Sequence, residues 1–374
     1  MPPLARRNLF HDKVRLTVTV TGIVFAVVLI VVELGLFVGF TSTTSGLVDH
    51  SGADLWVASK NVPYVELGVP FNERKFYQVR AVPGVADAQK ILIRWVQWKR
   101  PDGRAESVQI VGINPDGQML RPWSLVEGSV EDLKKPDAVI IDEIYKQKLG
   151  VTRVGEVFEI EGRRARVVGF THGIRSFTTS PYVFTTFKRA QEYADVRDDQ
   201  TMFVLVKVVP GVSVSQVQQA IPQQVRDVEA FTSTQFSRMT QIYWMFTTGA
   251  GVAVLLAAAL GLIVGFVVVA QTIYATTMDH LKEFGTLKAM GAPNSYVYKV
   301  IITQAGISAL LGYGLGMFVS FFVVRASQSG GAAILLPWQM AVGIFFLTVL
   351  MCVGAALVSI NKVTRLDPAM VFKG

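Results

Sequence analysis

Four long apolar runs constrain this chain more than any other feature. The first extends from about Val14 to Phe40. Three more follow near the other end, at about Trp244–Ile273, Val297–Val324 and Trp338–Ile360. Inside lipid every backbone N–H and C=O must be satisfied within the spanning element, and a helix that crosses the hydrocarbon core needs about 20 apolar residues. Each run meets that length. A cleavable leader carries a shorter apolar core of about 7–15 residues, so the first run reads as an uncleaved span, although Thr41 to Gly46 imitate a cleavage site in their small side chains. Charged residues make up only 17% of the 374, as suits an integral membrane protein with one sizeable soluble part.

Charge sets the expected orientation. A formal charge of +8 on a soluble domain would suggest nucleic acid. Here Arg6, Arg7, Lys13, Arg15, Lys282, Lys288, Lys299, Lys362, Arg365 and Lys373 all flank apolar runs. That is the positive-inside pattern; the partner it implies is the lipid membrane, with no nucleic acid. The spans alternate direction, which puts both termini and the 275–296 loop on the cytoplasmic side of a cytoplasmic membrane. The outer 325–337 loop holds only Arg325. Tyr243, Trp244 and Trp338 stand at span ends, where amphipathic rings favour the interface. The expected organisation is a tail at 1–13, spans at 14–41, 243–274, 297–324 and 338–360, an extracytoplasmic domain at 42–242, and a tail at 361–374.

Residues 42–242 hold no candidate span. Ala138–Asp142, Val157–Glu161, Ala165–Gly169 and Met202–Lys207 alternate in the manner of strands, and Glu161-Gly162-Arg163 reads as a hairpin turn between two of them. Phe76–Arg80, Thr186–Ala194 and Val214–Val225 read as helices, the last with Ser213 as N-cap. The fold class expected is therefore an α-helical membrane protein with four spans arranged 1 + 3 around a large inserted α+β domain.

Catalytic signatures are missing from the sequence. No G-x-x-x-x-G-K-[ST] phosphate loop occurs, and neither does G-x-S-x-G. His11, His50, His172 and His280 are scattered without metal-ligand spacing. Cys352 is the sole cysteine, so no intrachain disulfide can form. Neither enzyme activity nor a cofactor or metal is expected in this chain.

The loop between the second and third spans is more informative. In Asp279–Asn294, Leu281, Phe284, Leu287 and Met290 recur every third residue and form one stripe of a short helix. Gly291 suits the C′ position, where a positive φ is needed. Pro293 stops the helix, and Asn294 or Ser295 can cap the next. Such a helix either lies on the lipid surface or docks into another protein's groove; the pattern alone leaves both open.

At this stretch the sequence resembles the MacB/FtsX-like permease family of ABC transporters, whose pattern is R-x-x-E-[IF]-G-x-L-[KR]-A-[ILM]-G-A. Lys282-Glu283-Phe284-Gly285-Thr286-Leu287-Lys288-Ala289-Met290-Gly291-Ala292 follows it, with the leading arginine replaced near Asp279. Leu366-Asp367-Pro368-Ala369-Met370 is similar to the family's C-terminal tail. Ala53-Asp54-Leu55-Trp56, Leu149-Gly150, Val154-Gly155-Glu156 and Val168-Gly169 are similar to its outer domain.

The resemblance implies an export permease subunit of the MacB type, a homodimer bound to two copies of a separate nucleotide-binding subunit that holds ATP and Mg. Leu281, Glu283, Phe284, Gly285, Leu287, Lys288, Gly291 and Ala292 would form the coupling helix seated on that ATPase. It further implies mechanotransmission, in which ATP-driven motion reaches the outer domain without substrate crossing the bilayer core. Export of a hydrophobic or lipid-like compound is the expected task, with a periplasmic membrane-fusion adaptor as a further partner where an outer membrane exists. The alternatives are a force-transmitting regulator of a cell-wall hydrolase and a permease that extracts lipids or lipoproteins. Outside that family, a signalling or anchoring module remains.

Three spans carry G-x-x-x-G, at Gly35/Gly39, Gly261/Gly265 and Gly312/Gly316. This spacing lets helices approach closely, either within one subunit or at a dimer seam. Glu33 lies deep in the first span. Intramembrane carboxylates are costly, so Glu33 is a candidate contact for an amphiphilic substrate, or a structural carboxyl paired with Gln271 or Gln304. Trp95, Trp98 and Trp123 with Arg94, Lys99 and Arg100 form either an outer docking surface or core packing.

Overall fold

The structure is a computed structural model that describes residues 13–178, 180–279, 283, 285–286, 290, 292–328 and 334–364. The chain divides into two units.

The spanning helices are Lys13–Thr44, Ala250–Asp279, Asn294–Ser327 and Trp338–Thr364; the first unit holds them, except for Phe40–Thr44 and Ala250–Gly251, which belong to the second. All four are long and apolar enough to cross a bilayer. Their buried faces meet through Ile23, Val27 and Val31 of the first, Val269 and Ile273 of the second, Ala305 and Ala309 of the third, and Met351 and Ala355 of the fourth. Away from that seam the helices present Leu256, Leu260, Phe318, Phe322, Phe346 and Leu350 outwards, the arrangement expected where lipid is the solvent. The second helix begins at Ala250, seven residues later than the sequence pattern places it. Tyr243–Thr247 form a separate π-helical turn, and Gly249 breaks the backbone with φ +76°. The aromatic run that reads as membrane is spent on packing elsewhere. The third helix is preceded by Pro293 in an extended conformation; Asn294 is its first residue and not its cap.

The second unit is α+β. Its strands are β1 (Leu55–Ser59), β2 (Phe71–Asn72), β3 (Val85–Lys99), β4 (Ala105–Ile113), β5 (Leu125–Glu127), β6 (Ala138–Asp142), β7 (Val157–Ile160), β8 (Arg163–Thr171), β9 (Tyr182–Thr186), β10 (Gln200–Thr201), β11 (Phe203–Val208) and β12 (Val228–Thr232). Two substructures share β3. The order β12-β1-β11-β3 is an antiparallel sheet, backed by helices Arg74–Arg80 and Val214–Gln224. The chain order β1, helix, β3, β11, helix, β12 is the split βαβ arrangement. Leu55 and Val57 point to the helices with Phe76, Val79, Val217 and Ile221. Trp56 and Ala58 point the other way, towards Phe203, Leu205 and Phe236, as the period of two requires.

The second half of β3 opens an insertion. β3, β4, β9, β6, β8 and β7 pair in succession, and β7 returns to β3 through Trp98↔Ile160 and Lys99↔Glu159. The six strands close into a ring, which leaves none of them an open edge there. The β7–β8 hairpin turns at Glu161 and Gly162, both at positive φ, as tight two-residue hairpins require. Ser213 precedes its helix, but its hydroxyl makes no capping hydrogen bond; it lies 3.1 Å from the Ser215 hydroxyl.

Candidate functional site

The α+β unit gathers distant segments at one aromatic cluster. Phe40, in the last turns of the first spanning helix, meets Phe177 edge-on at 5.4 Å. Phe177 meets Trp244 at 4.2 Å. Trp244 lies edge-on to Tyr64 at 5.3 Å, and Tyr64 stacks on Tyr243 at 4.0 Å. Besides the helix that carries Phe40, three elements supply these rings. The π-helical turn brings Tyr243 and Trp244, the loop after β8 brings Phe177, and the residues around a 3₁₀ turn, Val65–Leu67, bring Tyr64. π-helical turns are uncommon and recur at functional sites. Hydrogen bonds secure the same junction. Gln241 Nε2 donates to Ser45 Oγ (2.8 Å), Ser45 Oγ donates to Asp49 Oδ2 (2.7 Å), and the Val65 amide donates to Thr240 Oγ1 (3.3 Å).

A carboxylate sits inside this cluster. Glu66 is 6% exposed. Its Oε2 accepts a long hydrogen bond from Trp244 Nε1 (3.4 Å), and its Oε1 has no hydrogen-bond partner among the described residues. Burial pushes its carboxyl from 4.5 up to about 7, against weaker pulls from its own backbone amide and the Trp244 indole. Tyr182 of β9 is fully buried, and burial, with the nearby Glu66, raises its phenol. Burial likewise raises Tyr64, to about 12. Gln109, the register partner of Tyr182 on β4, is buried with both amide atoms lacking partners among the described residues, as is the Tyr145 hydroxyl. Buried polar atoms are nearly always hydrogen-bonded, so this cluster of exceptions is a departure from ordinary core packing. By contrast Asp142, although buried, is fully used: it accepts from Ile144 N, Thr171 Oγ1 and Ile174 N.

Of the coupling residues read from sequence, Leu281, Phe284, Leu287, Lys288 and Gly291 lie outside the described residues. Glu283 and Gly285 are helical, Glu283 exposed and Gly285 half-buried. The Met290 amide donates to Thr286 O (3.0 Å), which closes a helical turn, and Ala292 is half-buried beyond it. The spanning glycines pack within the chain. A Cβ on Gly312 would strike Ile23, and one on Gly316 would strike Val27. Gly261 faces Leu29 and Glu33, Gly265 faces Ala26, and Gly35 faces Ile334 and the Leu335 carbonyl. Gly39 is buried. Glu33 is half-buried beside Gly261, without an ion pair or hydrogen bond to Gln271 or Gln304 among the described residues.

The tryptophans divide. Trp98 is wholly buried and donates Nε1 to Leu149 O (3.1 Å), so it is core and not docking surface. Trp123 stacks on His50 at 4.2 Å, and Trp95 is partly exposed. Sequence reasoning missed Glu66, Tyr64 and Phe177. No local pattern marks them, since Glu66 meets Trp244 across 178 positions.

Comparisons with known proteins agree with this architecture. The MacB-like periplasmic core domain matches residues 16–224, and the FtsX-like permease C-terminal region matches residues 255–368. An ABC transporter permease of Mycobacterium tuberculosis is 24% identical over 99% of both chains. The macrolide export ATP-binding/permease protein MacB of Escherichia coli is 21% identical over 98% of this chain and 59% of its own length. The periplasmic region of MacB from Actinobacillus actinomycetemcomitans aligns with 51% of this chain and 94% of its own, at 10% identity and a TM-score of 0.38. With both halves matched, the chain belongs to the MacB/FtsX-like family and is a multi-pass ABC transporter permease with an extracytoplasmic α+β domain.

Proposed function

We propose that this permease carries ATP-driven motion from a separate nucleotide-binding protein to its extracytoplasmic domain, and thereby exports a hydrophobic or lipid-like compound. The ATPase seats on the 279–292 stretch and holds the ATP and Mg. The working unit is a homodimer with two ATPase copies in the cytoplasmic (inner) membrane, with both termini on the cytoplasmic side. A periplasmic membrane-fusion adaptor joins it where an outer membrane exists. The observation that carries the reading is the aromatic cluster. Phe40 ends one spanning helix, Trp244 lies in the turn before the next, and both press on Phe177 of the α+β domain. Displacement of either helix end therefore pushes on a well-packed loop, and packed interfaces shift as units because they resist continuous deformation. Glu33, a carboxylate within the first spanning helix, is the candidate contact for the cargo.

The test uses a spin label at Arg153→Cys, an exposed position of the outer domain, in a Cys352→Ala background. The chain is reconstituted in nanodiscs with the ATPase that copurifies with it. The distance distribution between the two labels is expected to differ between the nucleotide-free and ATP-bound states. Identical distributions in both would contradict mechanotransmission.

A further inference from the structure

Glu66 has a chemistry that a mechanical junction does not require. A purely apolar cluster would pack the same rings without the cost of burying a carboxyl group. Instead, a carboxyl group lies in the 3₁₀ turn and is tied to the π-helical turn by one long hydrogen bond from Trp244. Trp244 on the π-helical turn donates to it, and Tyr64 beside it and Tyr182 on β9 lie within its electrostatic reach; around these, Tyr243 stacks on Tyr64, and Thr240 accepts from the Val65 amide. Beyond Tyr182, Arg175 acts on Tyr145. Among the described residues no lysine, arginine or histidine forms an ion pair with Glu66. Among the described residues the site therefore offers a carboxylate no balancing charge, and only its own backbone amide and the Trp244 indole to solvate it. The turn that Glu66 touches leads into the second spanning helix through the Gly249 break.

We propose that Glu66 is a proton-operated latch: the neutral carboxyl holds the Tyr243–Thr247 turn in the aromatic cluster, and its ionisation releases that turn from the domain. Its role as a regulator of coupling rests on the mechanotransmission reading above, whereas the latch itself is a property of this chain alone. The direction follows from burial. The closed form retains the proton up to about pH 7, and a solvated glutamate loses it near 4.5. Opening therefore becomes easier across that interval and levels off above it, because both forms are then ionised. Acid closes the latch and alkali loosens it.

The experiment is amide hydrogen exchange of the 243–248 segment in the full chain in lipid nanodiscs, without any ATPase, corrected for the intrinsic pH dependence of exchange. Protection should fall about 40-fold from pH 5 to pH 7 and then plateau. In Glu66→Gln, a shape-matched neutral side chain, protection should stay high and flat. Trp244→Phe removes the donor that favours the ionised form, so its plateau should begin at higher pH. Wild-type protection that is independent of pH, the same fall in Glu66→Gln, or an unmoved plateau in Trp244→Phe would each overturn the latch. Failure to capture an ATPase would remove the coupling reading and leave this result standing.

Discussion

Single residues carry the most exacting parts of this account. For Glu66, the rise from 4.5 to about 7 corresponds to about 3 kcal/mol. That advantage of the closed form is complete below pH 4.5 and is lost as pH rises through about 7. A second residue-scale effect lies in the membrane. Gly312 abuts Ile23 with no space for a methyl group, and overpacking a close contact typically costs about 1–3 kcal/mol. Gly312→Val should accordingly lower the unfolding temperature of the detergent-solubilised chain. At Gly314, where a Cβ meets nothing within 4 Å, the same change should have much less effect. Equal losses at both positions would show that helix propensity, and not the Ile23 contact, governs this span.

At the scale of elements, the 279–292 stretch links the second and third spanning helices. Gly285 stands inside its helical part, half-buried, where glycine costs about 1 kcal/mol relative to alanine. Close approach of a partner backbone is a reason to keep it. Gly285→Phe should leave membrane insertion intact while the ATPase turns over without export; normal export in that variant would count against docking here. Elements differ in how far sequence alone reveals them. The spans and β6 are legible because the length of an apolar run is a local signal, and Ala138–Asp142, buried along its whole length, is found with the same bounds. Closure of the ring is not local. It depends on Trp98 meeting Ile160 with β4, β5 and β6 lying between them in the chain, and the closed ring holds Trp98 inside despite its basic neighbours. Tyr243–Thr247 mislead for a related reason: an aromatic run suits a membrane interface and a domain junction equally well. Glu66 is invisible at this level, since a lone carboxylate in a loop reads as solvated until tertiary contacts bury it.

On the scale of the whole molecule, the two family matches, 16–224 and 255–368, fall on either side of the π-helical turn and Gly249. The two chain ends of the α+β unit pack together: Gln241 bonds to Ser45, and Phe40 and Trp244 share Phe177. The sequence contains no phosphate loop, and in the function proposed above a separate nucleotide-binding protein supplies the driving force. The most direct measurement is native mass spectrometry of the tagged chain, purified from its own membranes in mild detergent. The account predicts two copies of this chain with two of a nucleotide-binding protein, whereas reproducible recovery without any nucleotide-binding partner would contradict it.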